Sequence, residues 1–317
     1  MYNDKNKMLF FYGSSNPELG KRMAQCLGRE EGKIKIKKFA NGEIYTQFLE
    51  NIRGQDVFLM QTAVEPLNDN LVELLIMIDA AKRSSAGRIT AVIPNFFYAR
   101  QDRKAASREP ITARLVADLI TTAGANRIIT MDLHSDQTQG FFDIPLDNLP
   151  TSSTLIQKAK EFSAEDTVIV APDAGSAKKA TKIASRMNLE LAIVNKVRLK
   201  HNEAKALNII GADVRGKTCL MFDDMVDTGG SLCTAVEMLK ENGAKKVYAL
   251  ATHGILSLDA VEKLENSSIE KLIITDTIPL NKKSSKIEQI SISEYLCKAM
   301  NCVHCDESVT VLFEKED

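Results

Sequence analysis

No apolar run in the 317-residue chain comes near the roughly 20 residues that span a bilayer, which excludes a membrane-crossing helix. The first residues, MYNDKNKMLFFYG, lack the basic-then-apolar layout and the cleavage site of a secretory signal. An excess of either charge is also missing: 41 Lys and Arg stand against 42 Asp and Glu, a formal net charge of −1. No overall field then draws the protein to nucleic acid or to a membrane, and any phosphate binding must come from local clusters. Cysteine is sparse and scattered, at Cys26, Cys219, Cys233, Cys297, Cys302 and Cys305. In a cytoplasmic chain of this size such residues read as buried thiols rather than disulfides. Cys302, His304 and Cys305, with Cys297 nearby, hold half of a zinc pattern, but no second CxxC completes a tetrahedral set. The expectation is a cytoplasmic protein with no nucleic-acid or membrane partner.

What is present is an ordinary globular composition, 44% hydrophobic and 26% charged, on a length that suits two domains of about 150 residues. Short apolar runs alternate with longer helical patterns. Strands are predicted at 8–12, 33–38, 56–62, 89–94 and 127–132, then at 167–172, 191–195, 218–223, 247–253 and 272–275. These runs are rich in Ile, Val and Leu on both faces, as strands covered by helices should be. Helices are predicted at 70–82, 112–122, 177–187 and 232–241. This βαβ rhythm implies α/β architecture, two doubly wound parallel-sheet domains with right-handed crossovers. The stretch 141–153, with two prolines, divides the chain into domains 1–149 and 150–317.

In open α/β sheets the chemistry lies just beyond the carboxyl ends of the strands. The segment Met221–Ser231, MFDDMVDTGGS, is the strongest signal there. A buried strand ends in Asp223 and Asp224, and a short loop of Asp227, Thr228, Gly229, Gly230 and Ser231 opens a helix. Free backbone N–H groups at a helix N-terminus make a phosphate site. Glycines let the backbone approach, hydroxyls add donors, and ionised carboxylates accept from vicinal sugar hydroxyls. A plain helix cap needs one such residue, whereas three carboxylates and a Gly-Gly pair are gathered here. The segment resembles the phosphoribosyl-diphosphate motif shared by type I phosphoribosyltransferases and the diphosphate-forming synthases.

Segments spread over the whole chain choose between those two. Phe39–Glu43 (FANGE), Tyr98–Lys104 (YARQDRK), Asp132–Pro145 (DLHSDQTQGFFDIP), Ala171–Gly175 (APDAG) and Lys196–Arg198 (KVR) each resemble, in order, the signatures of ribose-phosphate pyrophosphokinases. The resemblance implies an enzyme that moves the diphosphoryl group of ATP onto ribose 5-phosphate. It implies the phosphoribosyltransferase fold in both domains and a homohexamer, with Phe39, Asn41, Gly42 and Glu43 reaching a neighbouring subunit's ATP site. Arg100 and Gln101 contact ATP in that reading. His134 and Asp173, at adjacent strand ends, share Mg²⁺, and Lys196 and Arg198 belong to a catalytic loop continuing through the polar stretch 199–212. A purine or orotate phosphoribosyltransferase and a non-catalytic associated subunit remain as alternatives, the second disfavoured by the presence of Lys196, Arg198, His134 and Asp173. The chain departs from the family pattern at Ser176, Val197 and the pair Ala105-Ala106, the last near a regulatory region.

Gly211–Thr218 (GADVRGKT) matches a Walker A loop letter for letter. That motif needs a helix leading out, because the helix N-terminus completes the cradle. Since a strand is predicted from Thr218 onward, Gly216-Lys217 reads as a turn.

Overall fold

The computed structural model describes residues 7–163, 165–197 and 206–313, with the side chains of Asn195–Val197, Ala206 and Leu207 excepted. In chain order the elements are β1 (Met8–Tyr12), α1 (Pro17–Cys26), β2 (Ile34–Lys38), β3 (Ile44–Phe48), β4 (Asp56–Met60), α2 (Leu67–Arg83), β5 (Arg88–Ile93), α3 (Thr112–Ala123), β6 (Arg127–Met131) and β7 (Leu146–Leu149). Then come α4 (Ser152–Ala159), β8 (Thr167–Ala171), α5 (Ala177–Met187), β9 (Glu190–Val197), β10 (Ala206–Gly211), β11 (Thr218–Val226), α6 (Gly230–Glu241), β12 (Lys246–Gly254), α7 (Ala260–Asn266), β13 (Lys271–Thr275), β14 (Ile287–Ile290) and α8 (Ser293–His304).

Two compact units result. The first takes residues 1–150 with 277–279 and 291–314, and the second takes 151–276 with 280–290. A cut at 149/150 therefore misplaces the last helix, which returns to the first unit. The reason is its apolar stripe: Leu296, Met300 and Val303 of α8 share one core cluster with Leu19 and Met23 of α1. The stretch 141–153 is not a plain linker either, since it contains β7, which pairs with β6.

The first sheet runs β1-β4-β5-β6-β7, all parallel, in straight chain order. The cluster on one of its faces draws on α2 and α3. The other face is covered by α1 and α8. β2 does not join it. Its sequence IKIKK alternates, and it pairs antiparallel with β3 as a separate ribbon. Alternation marks a half-buried strand, not one covered on both faces.

His304 lies within this unit. Asp56, fully buried at the start of β4, accepts from Arg88 Nε and Nη2 at 2.9 and 2.6 Å and sits 2.7 Å from His304 Nδ1. Arg88 also donates to Val303 O at 2.8 Å and to Asp306 at 3.0 Å. A buried carboxylate needs such a full set of partners. The imidazole singled out beside the cysteines thus helps fasten α8 to the amino ends of the inner strands β4 and β5.

The second sheet is ordered β10-β9-β8-β11-β12-β13-β14. The chain starts in the middle at β8, moves out to β9 and β10, then reverses through β11 to β14. That reversal places a topological switch point between β8 and β11, where the following connections diverge and leave a crevice at the carboxyl ends. β10 is the one antiparallel strand. It occupies Ala206–Gly211, inside the stretch 199–212 read as a polar loop, because Ile209 and Ile210 extend the pairing opposite Ile193 and Val194. Residues 199–205 of that stretch lie outside the described residues.

Candidate functional site

At the switch point β8 pairs with β11 from Thr167↔Thr218 to Val170↔Met221 and then stops, while β12 follows β11 as far as Val226↔Gly254. The expected strand end at Asp223 is therefore three residues early. Continued pairing with β12 keeps Asp223 and Asp224 inside the last stretch of β11, on the side β8 no longer covers. Asp223 Oδ1 accepts from the Asp224 N–H at 2.9 Å, and Lys179 Nζ on α5 donates to Asp223 O at 3.4 Å. Burial, and then the neighbouring Asp224 carboxyl, push Asp223 up to about 7, against the opposing pull of the Asp224 N–H and of Lys179.

The loop then turns into α6 through Gly229, whose φ of +71° is left-handed. Gly229 carries no side chain to accept from the first-turn N–H groups of α6, the kind of helix start that suits an anion. Thr228 and Ser231 are exposed beside them. The segment before α7 braces this loop: Ile255 and Leu256 donate to Val226 O at 2.9 and 3.1 Å, and Ser257 donates to Asp227 O at 3.1 Å. Sequence reading missed this brace, because nothing in ILSLD marks a contact with residues some thirty positions earlier. Across the switch point, Asp173 follows β8 in a tight turn. Its Oδ1 accepts from Ser176 N at 2.9 Å, and Ser176 Oγ returns a bond to Asp173 O at 2.9 Å. The structure thus brings Asp173 and Asp223–Ser231 to neighbouring strands of one sheet.

Lys196 lies in β9, in register with Leu207 of β10. Arg198 falls outside the described residues.

The other expected residues sit in the first unit. Phe39, Asn41, Gly42 and Glu43 form the tip of the β2–β3 hairpin, closed by Phe39 N–H to Glu43 O at 2.8 Å and Glu43 N–H to Asn41 Oδ1 at 3.2 Å. Gly42 has φ +90°, which the turn requires. The Phe39 ring, 44% exposed, packs edge-on to Tyr45 under the Lys37 ammonium. Arg100 is exposed on the loop after β5, and Gln101 beside it accepts from Thr112 Oγ1 at 2.5 Å. Phe96 and Phe97, just ahead of it, are core residues, 3% and 0% exposed, and anchor that loop. His134 is exposed just past β6. β6 and β8 belong to different sheets, so His134 and Asp173 do not stand at adjacent strand ends of one sheet.

The Walker-like segment is a turn. Arg215 clasps Asp213, Gly216 adopts φ +71°, and Thr218 opens β11 with no helix following. Lys217 Nζ is held by Glu190 at 2.6 Å. Lys217→Ala is expected to leave the kcat and the ATP KM within a few-fold of the parent. A loss of 10³ or more, roughly the scale of a true phosphate-binding lysine, would overturn the assignment.

Fold and site together define a parallel α/β protein whose polar loops gather at the switch point of its second sheet. The family model for the N-terminal domain of ribose phosphate pyrophosphokinase matches residues 8–124. The model for the phosphoribosyl synthetase-associated domain matches residues 194–314. The chain is 46% identical to the ribose-phosphate pyrophosphokinase of Chromobacterium violaceum, over 98% of this chain and 96% of that one. It is 48% identical to ribose-phosphate pyrophosphokinase 2 of Schizosaccharomyces pombe, over 97% and 98%. The crystal structure of phosphoribosylpyrophosphate synthetase from Mycobacterium smegmatis superposes with a TM-score of 0.90 at 42% identity, covering 95% of this chain and all of that one. The chain belongs to the ribose-phosphate pyrophosphokinase family and is an enzyme.

Proposed function

We propose that the enzyme transfers the β,γ-diphosphoryl group of ATP to the C1 hydroxyl of ribose 5-phosphate, giving 5-phosphoribosyl 1-diphosphate and AMP for nucleotide biosynthesis. The carboxylate pair of β11 running into a helix start at the switch point supports the sugar-phosphate half of this reading, and the 46% identity to a ribose-phosphate pyrophosphokinase over 98% of the chain carries the choice of synthase over transferase. Asp223 and Asp224 accept from the sugar hydroxyls. Asp227, Thr228, Gly229, Gly230 and Ser231 hold the 5-phosphate, with Arg198 assisting. Phe39, Asn41, Gly42, Glu43, Arg100 and Gln101 bind ATP. The C1 oxygen attacks the β-phosphorus, the bond to the bridging oxygen of AMP breaks, and the hydroxyl proton is released. Positioning and charge neutralisation supply most of the rate, with Lys196 and Arg198 as the catalytic cations.

Magnesium fits the donors present. Among the described residues no three His, Cys, Asp or Glu side chains converge as a closed cage. His134 and Asp173 are both exposed, as ligands of an ion that keeps waters and substrate phosphates would be. The ion neutralises charge on the transferring phosphates. Self-association, up to a homohexamer, is supported by Ile111 at the start of α3 and Leu115 and Leu119 along it, spaced four apart and exposed. A cytoplasmic setting agrees with the lack of any helix, among the described residues, long and apolar enough to cross a membrane.

The test is AMP formation that requires both ribose 5-phosphate and Mg²⁺. A phosphoribosyltransferase releases no AMP from ATP, so its absence sinks the reading. His134→Ala and Asp173→Asn are each expected to raise the Mg²⁺ concentration giving half-maximal rate. Titrations that overlay the parent's remove the residue concerned from the metal site.

A further inference from the structure

We propose that Lys179 is a positioning residue of the ribose 5-phosphate site, its ammonium offsetting the mutual repulsion of Asp223 and Asp224 so that both accept from the sugar's vicinal hydroxyls. This rests on the assignment of Asp223–Ser231 given above. Lys179 is the third residue of α5, the helix that follows β8, and β8 is the neighbour of β11 across the switch point. It is half-buried and reaches the backbone of the acid pair, with Nζ 3.4 Å from Asp223 O. A lysine on a helix flank usually extends into water; this one is turned onto the end of a buried strand.

Among the described residues, the charged and titratable groups around Asp223 are few. β11 itself supplies Asp224, and α5 supplies Lys179. β8 is TVIVA and brings no charge before Asp173 in the loop beyond it. β12 pairs Ala251 with Asp223 and carries buried His253 two residues further on. Burial and Asp224 both favour the protonated form of Asp223, and Lys179 works against them. A protonated carboxyl spends one oxygen as a donor and is a poorer partner for two adjacent hydroxyls. Removing the ammonium makes the carboxyl hold its proton to higher pH, so sugar binding fails earlier as pH falls.

The experiment is the pH profile of kcat/KM for ribose 5-phosphate at saturating MgATP. With Lys179→Met the acid limb is expected to move up by about 0.5–1 pH unit, with the loss falling on KM more than on kcat. The KM then rises several-fold near pH 6.5, and the gap narrows toward about pH 8.5. Lys179→Arg restores the parent profile. The sugar's own phosphate titrates identically with every variant and cancels. Thermal melting accompanies each profile, and Lys179→Gln replaces the methionine variant if that one does not fold. A rise in KM that is the same at every pH, or a lowered Tm with the acid limb unmoved, makes Lys179 a purely structural residue and overturns the proposal. Asp224→Asn separates the two readings. If it leaves the sugar KM unchanged, the site assignment fails; if it raises the KM while Lys179→Met shifts nothing, only the present inference falls.

Discussion

Lys196→Ala is expected to cut kcat by roughly 10³ or more while leaving both substrate affinities close to the parent's. As the transition state forms, charge builds on the migrating diphosphoryl group and on the departing AMP. A cation that meets this charge only after the substrates are bound lowers the barrier without tightening the ground state, so its loss appears in kcat. Lysine suits the task, being a compact point charge on a flexible stem that can follow a moving phosphoryl group, whereas Arg198 can fork onto phosphate oxygens. Lys196 stands in β9, the strand next to β8 on the far side from β11, so it belongs to the sheet that carries Asp173 and Asp223. A phosphoribosyltransferase would not need a lysine in this role. Steady-state kinetics on the alanine variant decide the matter: a kcat within about tenfold of the parent means that Lys196 is not catalytic.

The second sheet was largely legible in the sequence because its central strands are covered on both faces. TVIVA of β8 and the apolar start of β11 read as continuous apolar runs, and α5 was delimited correctly at Ala177–Met187. Several edge elements were not. β3, β7, β10 and β14 bury at most part of each face, so their runs are short and mixed with polar residues, as in LDNL and IEQI. β2 is legible as a strand, but its pairing with β3 apart from the main sheet is not, since a strand's sequence does not name its partner. α8 went unread because its packing surface comes from α1, more than 260 positions earlier. The proposed site is legible where carboxylates, hydroxyls and glycines are concentrated in one stretch, as in Asp223–Ser231. It was hidden where the contribution arrives across the sheet. Lys179 stands within an unremarkable basic run, KKATK, and only the adjacency of β8 and β11 makes it part of the same place.

Gly229→Val is expected to raise the KM for ribose 5-phosphate by roughly tenfold or more, with a far smaller change in the KM for ATP. Space is not the reason: a Cβ at Gly229 would meet Ala260 O at 3.6 Å, an ordinary contact. The cost is in the backbone. At φ +71° a side chain strains the main chain by about 1–2 kcal/mol, and a β-branched one by more. The chain can relieve that strain by rotating the peptide units of 228–230. Those units carry the N–H groups that open α6, the donors proposed for the 5-phosphate, while the Ser257 to Asp227 bond holds the start of the loop. Rotation therefore withdraws donors from the ligand and does not drag the whole loop along. Gly230 supplies the internal comparison. It has no left-handed φ, and the nearest atom to a Cβ there is Thr228 Oγ1 at 3.9 Å, so Gly230→Ala should cost less in sugar KM than Gly229→Ala, which in turn should cost less than Gly229→Val. If all three variants shift the sugar KM equally, backbone conformation at Gly229 is not what holds the phosphate; if none does while melting temperatures stay near the parent's, the cradle is not at this loop.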